Sequence, residues 1–155
     1  MRTVLIGSDH AGYALKEALK AFLQEQGYRV EDVGVHSDSP ADYPDVAHAL
    51  TARLQELPDA LGVLICGTGI GMCIAANKRR GIRAAHASDP VSASLARAHN
   101  DANVLCLGAR IVGEELAKGI VSAFLQTPFS AEPRHQRRVA KLELSAGGEP
   151  LSRTE

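Results

Sequence analysis

The sequence has few of the residues from which nucleic-acid-binding surfaces are built. Its 155 residues include no tryptophan, three phenylalanines and three tyrosines, and the formal net charge is −1. Stacking on bases needs aromatic side chains, and attraction to a phosphate backbone needs a positive field. A run of about 18 apolar residues, which a membrane-spanning helix requires, is also missing. We therefore expect no nucleic-acid partner and no membrane segment.

Cysteine is also scarce, with thiols only at Cys66, Cys73 and Cys106. Their odd number and spacing are typical of reduced thiols in a cytoplasmic protein. Cys73 lies in a predicted helix and Cys106 in an apolar strand, and we expect both to be buried. No metal is expected, because a zinc site from Cys66, His10 and His99 lacks the usual ligand spacing.

Apolar runs alternate with segments of helical periodicity along the chain. Strands are predicted at 3–7, 28–34, 60–66, 81–87 and 102–108. Helices are predicted at 11–26, 45–56, 70–79, 90–99, 113–125 and 133–144. This alternation favours an α/β fold, a three-layer α/β/α Rossmann-like domain over 1–145 with a five-stranded parallel sheet and a C-terminal helix. We expect residues 146–155 to be a disordered tail, and the sequence does not predict the strand order.

Polar side chains collect where the predicted strands end, which is where ligands of such folds bind. We place five of them at this edge: Asp9, His10, Arg110, and His99 and Asn100 at the end of the helix over 90–99. Each has a structural alternative, because an aspartate can cap a helix and a histidine near a helix end is often a surface residue. Their shared position next to Cys66 favours a binding site.

The stretch LICGTGIGM, residues 64–72, joins the third predicted strand to a helix. Its glycines allow backbone N–H groups to approach an anionic oxygen, and a tight turn without a ligand is the alternative. The spacing lacks both G-x-G-x-x-G and Gly-Lys-Ser/Thr. The sequence therefore predicts neither a dinucleotide-binding fingerprint nor a P-loop.

Cys66 precedes this turn, where the positive end of the following helix favours a thiolate. A thiolate here can act as a nucleophile or a base, and a buried apolar cysteine is the alternative. The phosphatase pattern of a cysteine followed six positions later by arginine is absent, because position 72 is methionine. Thr68 either caps the helix or polarises a substrate oxygen.

A basic segment, 132–144, closes the predicted fold. Arg134 and Arg138 are four residues apart and share one helical face, which suits a phosphate group or a solvated surface. The preceding connection can carry this segment away from its own domain. It can therefore reach the site of a partner subunit.

Nine motifs occur along the chain in the order GSDHAG, DYP, ICGTGIGM, AANK, GIRA, HND, NVL, GAR and RHQRRV. On these motifs, residues 2–144 resemble the type B ribose-5-phosphate isomerases, a group that includes galactose-6-phosphate and allose-6-phosphate isomerases. The resemblance implies interconversion of ribose 5-phosphate and ribulose 5-phosphate without metal or cofactor. It also implies a homodimer, or a tetramer, with the active site at the subunit interface.

The resemblance assigns catalytic roles to three side chains and one turn. Cys66 is the implied base that moves a proton between C1 and C2, and His99 the acid and base that opens the furanose ring. An anion hole for the enediolate is implied for Thr68 and for the amides of Gly67, Gly69, Ile70 and Gly71. Met72 stands where another branch of the family has a glutamate base, which places this chain in the thiolate branch.

The remaining implied roles concern substrate binding. Hydroxyl or ring-oxygen ligands are implied at Asp9, His10 and Asn100, and a pocket wall at Tyr43. Phosphate ligands are implied at Arg110, Arg134 and Arg138, the last two from the other protomer. Two alternatives stay open: an isomerase of a six-carbon sugar phosphate, and a non-catalytic sugar-phosphate-binding module.

Overall fold

The computed structural model describes residues 2–143 and 148–149. Its strands are β1 (Thr3–Ser8), β2 (Arg29–Asp32), β3 (Leu61–Cys66), β4 (Ala84–His86) and β5 (Val104–Gly108). Its helices are α1 (Tyr13–Glu25), α2 (Tyr43–Glu56), α3 (Ile70–Ala76), α4 (Pro90–Asn100), α5 (Glu114–Gln126) and α6 (Pro133–Leu142). The predicted disordered tail, 146–155, lies outside the described residues apart from 148 and 149. Among the helices described, none is long and apolar enough to cross a membrane.

All pairs of neighbouring strands are parallel, and the five-stranded sheet has the order β2-β1-β3-β5-β4. β3 and β5 are buried along their whole length, as expected of strands covered on both faces. One apolar cluster lies between the sheet and helices α1, α4 and α5, and a second lies under α2 and α3. The predicted three-layer α/β/α architecture is confirmed.

Two element boundaries differ from the prediction around the edge strand β4. Helix α3 ends at Ala76 rather than at 79, and β4 covers only Ala84–His86. The side chain of Asn77 explains both, because it donates to the Ala84 carbonyl at 3.0 Å and accepts from the Ala84 N–H at 2.8 Å. At the beginning of β4, the Asn77 side chain thereby makes the hydrogen bonds to the Ala84 backbone that a neighbouring strand would otherwise make.

The boundaries of α4 match the prediction closely. Asp89 caps its first turn, accepting a hydrogen bond from the N–H of Ser92 at 2.7 Å, and Pro90 follows at the first helical position. The helix ends at Asn100, and Asp101 follows in the left-handed conformation with φ 49°. Because α4 follows β4 and precedes β5, it runs from the carboxyl edge of the sheet back to the amino edge.

A fully buried lysine ties α1 to the end of β2. The Lys16 ammonium donates to Asp32 Oδ2 and to the Val35 carbonyl, each at 2.6 Å, and its exposure is 0%. Burial alone would raise the pKa of Asp32, but hydrogen bonds from Lys16, Lys20 and the Gly34 N–H outweigh it and hold that pKa below its ordinary value. This stabilisation is present at neutral pH and is lost as the pH falls through the folded-state pKa.

Replacing Lys16 with methionine should lower the free energy of unfolding at pH 7 by about 1–3 kcal/mol, because the partly buried Val35 carbonyl loses its donor. Urea denaturation measures the loss. Lys20→Met is the matched control, since Lys20 is partly exposed and also pairs with Asp32. The control should cost at most about 1 kcal/mol. Equal losses in the two variants would show that the hydrogen bond from Lys16 to Val35 contributes nothing of its own.

Candidate active site

Cys66 is the last residue of β3, and its side chain is only 5% exposed. The sulfur accepts a hydrogen bond from the N–H of Gly69 at 3.2 Å. The carbonyls of Cys66 and Gly67 accept from the N–H groups of Ala109 and Arg110 at 2.8 and 2.9 Å. The loop after β5 therefore fixes the turn that covers the sulfur.

Glycine is required at two positions of this turn. Gly69 has φ +83°, and a Cβ atom there would lie 2.7 Å from Cδ2 of His86. A Cβ atom on Gly71 would lie 2.5 Å from a ring carbon of Tyr43. The Tyr43 ring therefore lies directly against the glycine turn, where it can form one wall of a pocket.

Thr68 is exposed at the tip of the turn, one residue before Gly69, which is the N-cap residue of α3. Its hydroxyl oxygen accepts from the N–H of Ile70 at 3.2 Å, which leaves the hydroxyl proton able to reach another acceptor. The Thr68 carbonyl accepts from Nε2 of His86 at 2.8 Å, so the His86 ring carries a proton on that nitrogen. His86 thus supports the turn, a role that the sequence analysis did not assign.

Asp9 and His10 follow β1 and lie beside the end of β3. The N–H of Asp9 donates to the Ile65 carbonyl at 3.2 Å, and its carboxylate accepts from the N–H of Gly12 at 3.1 Å. Nδ1 of His10 accepts from the N–H of Ala41 at 3.1 Å, so a neutral His10 ring carries its proton on Nε2. The exposed His10 ring therefore offers a donor at the carboxyl edge of the sheet.

Arg110 brings a positive charge to the same place. A Cβ atom on Gly67 would lie 3.3 Å from its Nη1, so the guanidinium lies against the turn that carries Cys66. Two donor side chains, one buried carboxylate, a thiol and the glycine turn therefore follow the carboxyl ends of β1, β3 and β5, and we call the surface that they share the Cys66 crevice. The crevice contains the predicted residues Asp9, His10, Tyr43, Cys66, Gly67, Thr68, Gly69, Ile70, Gly71 and Arg110.

The other two cysteines form a pair close to this crevice. Cys106 is fully buried, as predicted, whereas Cys73 is half-buried and its sulfur lies 3.5 Å from the Ala84 carbonyl oxygen. A hydrogen bond from the Cys106 thiol lowers the pKa of Cys73 to about 7, although burial opposes the shift. The same bond and burial raise the pKa of Cys106 well above its ordinary value. Cys73 is therefore a second thiolate candidate, which the sequence analysis missed.

His99 and Asn100 do not lie at the carboxyl edge, so their expected position beside Cys66 of the same chain is wrong. They end α4, and Asn100 lines a cleft with Arg83, the residue before β4, and Ala102, two residues before β5. Cys66 pairs with Gly108, the last residue of β5. The first residue of this five-residue strand, Val104, lies about 13 Å from Gly108 along the strand. The error came from the direction of α4, which returns to the amino edge.

Arg134 and Arg138 join this second group of residues. They lie on α6, which packs against α4, and the ring of His135 between them lies 4.4 Å from the ring of His99, centroid to centroid. We call His99, Asn100, Arg134, His135 and Arg138 the amino-edge cluster. His135 is a buried member of this cluster to which the sequence analysis gave no role.

The positions of the histidines also bear on metal binding. His99 lies at the opposite edge from His10 and Cys66, so these three side chains form no zinc site within one chain. Across residues 2–143 and 148–149, no group of three or more His, Cys, Asp or Glu side chains could hold a metal ion.

Comparison with known proteins places this chain in a family of isomerases. A sequence profile of the Ribose/Galactose Isomerase family matches residues 4–142. The ribose-5-phosphate isomerase B of Escherichia coli K12 is 47% identical over 139 residues, which are 90% of this chain and 93% of that protein. A D-erythrulose-4-phosphate isomerase of Pectobacterium atrosepticum is 45% identical over 131 residues, 83% of this chain and 86% of that protein.

A solved structure extends the likeness to three dimensions. The ribose-5-phosphate isomerase B of Mycoplasma genitalium, crystallised with bound ribulose-5-phosphate, superposes with a TM-score of 0.86 at 42% sequence identity. The match covers 90% of this chain and 93% of that one. Since profile, sequence and structure agree over nearly the whole length, this chain is an isomerase that belongs to the ribose/galactose isomerase family.

Proposed function

We propose that the enzyme interconverts ribose 5-phosphate and ribulose 5-phosphate through an enediolate. The strongest support is a sulfur that accepts a hydrogen bond from the backbone N–H of Gly69, in a chain that matches a ribulose-5-phosphate-bound relative over 90% of its length. A six-carbon substrate is not favoured by these relatives, two of which are ribose-5-phosphate isomerases. A non-catalytic binding module is likewise disfavoured, because the relatives are enzymes.

The Cys66 thiolate is the proposed base. It removes the proton from C2 of the open-chain aldose, and the electron pair of that C–H bond becomes the C1=C2 double bond as charge moves to O1. The thiol then returns the proton to C1, while a proton passes from the C2 hydroxyl to O1. A positioned base of this kind contributes about 10²–10⁴-fold to the rate.

The glycine turn is the proposed site of charge stabilisation. The N–H of Gly69 donates to the Cys66 sulfur and the N–H of Ile70 donates to the Thr68 hydroxyl oxygen, so the other amides of the turn and the Thr68 hydroxyl proton are the proposed donors to the enediolate. Fixed donors of this kind are worth about 3–4 kcal/mol each when aimed at a developing oxyanion. The turn therefore favours both the thiolate and the enediolate without rearranging during the reaction.

The remaining groups are proposed to hold the substrate. Asp9, His10 and Asn100 offer partners for hydroxyl groups or the ring oxygen, and Tyr43 forms a wall. Arg110, Arg134 and Arg138 offer guanidinium groups, which match the geometry of a phosphate. Anchoring the phosphate, which does not react, supplies binding energy for orientation at C1 and C2.

We further propose that each complete site is shared between two subunits of a homodimer. The Cys66 crevice lies at the carboxyl edge of the sheet and the amino-edge cluster at the other, so one chain cannot apply both to one small sugar phosphate. A two-fold axis perpendicular to the strands reverses their direction in the second subunit. Such an axis places the amino-edge cluster of one subunit against the Cys66 crevice of the other.

The surface around β4 is suited to this dimer. β4 is an edge strand, and apolar side chains next to it are exposed on α3 and on α4: Ile70, Ile74, Val91 and Leu95, at 53%, 58%, 68% and 44%. Each pair is four residues apart and therefore shares one helical face. Exposed apolar side chains on both helices that flank an edge strand are typical of an interaction surface.

A coupled assay tests the proposed reaction. Ribose 5-phosphate, allose 6-phosphate and D-erythrulose 4-phosphate are compared side by side, and we expect kcat/KM to be highest for ribose 5-phosphate. Uptake of solvent deuterium at C1 of ribulose 5-phosphate, measured in parallel, reports proton transfer directly. A binding module would give neither turnover nor exchange, and faster turnover of either rival sugar would reassign the substrate.

A further inference from the structure

Two imidazole rings are packed together in the amino-edge cluster. The ring centroids of His99 and His135 are 4.4 Å apart, and their planes are inclined by 30°. The rings differ in environment, because His99 is exposed whereas His135 is only 5% exposed. One face of the exposed His99 ring, to which the family resemblance assigns the opening of the furanose ring, therefore lies on the buried His135 ring.

Several features of its surroundings keep His135 neutral. Its Nδ1 is buried and has no hydrogen-bond partner among the described residues, so a doubly protonated ring would bury an N–H without an acceptor. Burial is the main cause that lowers the pKa of His135, and the charges of His99, Arg134 and Arg138 lower it further. Glu132 acts in the opposite direction but does not outweigh them.

A neutral ring in this position has two consequences for His99. Contact with the His135 face restricts rotation of the His99 ring, because side chains in contact at van der Waals distance lose freedom. A neutral imidazole also presents its π face to a neighbouring cation without competing for the proton. The ring of His99 is thereby held in one plane, with its other face available to a substrate.

We propose that His135 is a positioning residue, a neutral platform that fixes the imidazole plane of His99 for opening of the furanose ring. This inference rests on the proposed function, since it presumes that ribose 5-phosphate binds as a closed ring. His135 then contributes to the ring-opening step and not to proton transfer between C1 and C2. Ribulose 5-phosphate cannot close to a furanose through its phosphorylated O5, so proton exchange at C1 of that ketose bypasses ring opening.

Two substitutions at position 135 distinguish a positioning role of the His135 ring from a chemical role of its nitrogen atoms. His135→Leu fills the volume but removes the flat ring, and we expect ribose 5-phosphate turnover to fall on the order of 10- to 100-fold through misplacement of His99. Deuterium uptake into ribulose 5-phosphate should stay near the wild-type rate. His135→Phe keeps a flat ring without a titrating nitrogen and should restore most of the turnover. His48→Leu, which changes an exposed histidine on α2, is the matched control.

Several outcomes would overturn the proposed positioning role of His135. Equal loss of turnover and exchange in His135→Leu would indicate general damage to the fold, and no loss in either would remove the role. A Phe variant as slow as the Leu variant would show that an imidazole nitrogen is needed. If wild-type enzyme shows neither turnover nor exchange, the proposed function itself fails.

Nuclear magnetic resonance tests the coupling of the two rings without any assay of activity. In wild-type enzyme the His135 imidazole should titrate below its ordinary pKa. His99→Asn removes one of the charges that lower this value, so the His135 pKa should rise towards the ordinary value. An unchanged His135 titration in that variant would show that the rings do not interact in solution.

Discussion

Replacing Cys66 with serine should remove most of the turnover of ribose 5-phosphate and leave the fold intact. A serine hydroxyl can accept the same hydrogen bond from the Gly69 N–H, so the turn keeps its geometry. It cannot form the anion that the thiol provides, and we expect kcat to fall by about 10²–10⁴-fold, the usual contribution of a general base. The coupled assay measures turnover, and circular dichroism with urea denaturation measures the fold.

Cys73 supplies a matched control for this substitution, because its pKa of about 7 makes it the rival thiolate. Its sulfur faces the Ala84 carbonyl, the side chain of Asn77 and the backbone of His86, and it does not lie in the glycine turn. Cys73→Ser should therefore keep turnover within about threefold of wild type, since no transition-state contact is lost. Near-normal activity in Cys66→Ser, or collapse in Cys73→Ser, would transfer the role of base to another group.

Mixing two inactive variants should restore activity if each site is shared between subunits. Cys66→Ser lacks the proposed base, and His99→Asn lacks the proposed group for ring opening. In a mixed dimer, one site receives both defects and the other receives neither. Random reassembly of equal amounts should give about one quarter of wild-type turnover, because half of the dimers carry one intact site out of two.

The control pairs two variants from the same half of the site. His99→Asn and Arg134→Ala both lie in the amino-edge cluster, so every site in their mixed dimer keeps one defect. This mixture should stay as inactive as its components after the same denaturation and refolding. If the Cys66→Ser and His99→Asn mixture also stays inactive, the two residues do not serve one site across the interface.

Much of the fold was predictable because the central strands are buried on both faces. The residues of β3 and β5 form unbroken apolar runs. Asp89 and Pro90 are the N-cap and first-turn residues that predict where α4 begins. The strand order was not predictable, since apolar runs of similar composition do not specify their neighbours. The early end of α3 depends on a side-chain contact between Asn77 and Ala84, which no periodicity reveals.

Most residues of the candidate site were predictable from the sequence, but their division between the two edges of the sheet was not. The glycine turn, Cys66 and Arg110 follow strand ends, and strand ends of a parallel sheet meet at one edge. The position of His99 was misjudged, although a helix that follows a strand returns to the opposite edge. The pairing of Cys73 with Cys106 and the burial of His135 depend on packing between distant elements, for which the sequence contains no local signal.

The three thiols differ in ways that determine how alkylating reagents act on the native enzyme. Cys66 is closed in by the glycine turn, Cys106 lies in the interior, and half-buried Cys73 has the thiolate available near neutral pH. Iodoacetamide should therefore modify Cys73 first, and a bulky adduct on α3 can disturb the proposed subunit contact. Inactivation that bound sugar phosphate does not prevent indicates modification of Cys73 on α3. Inactivation that bound sugar phosphate prevents indicates modification of Cys66.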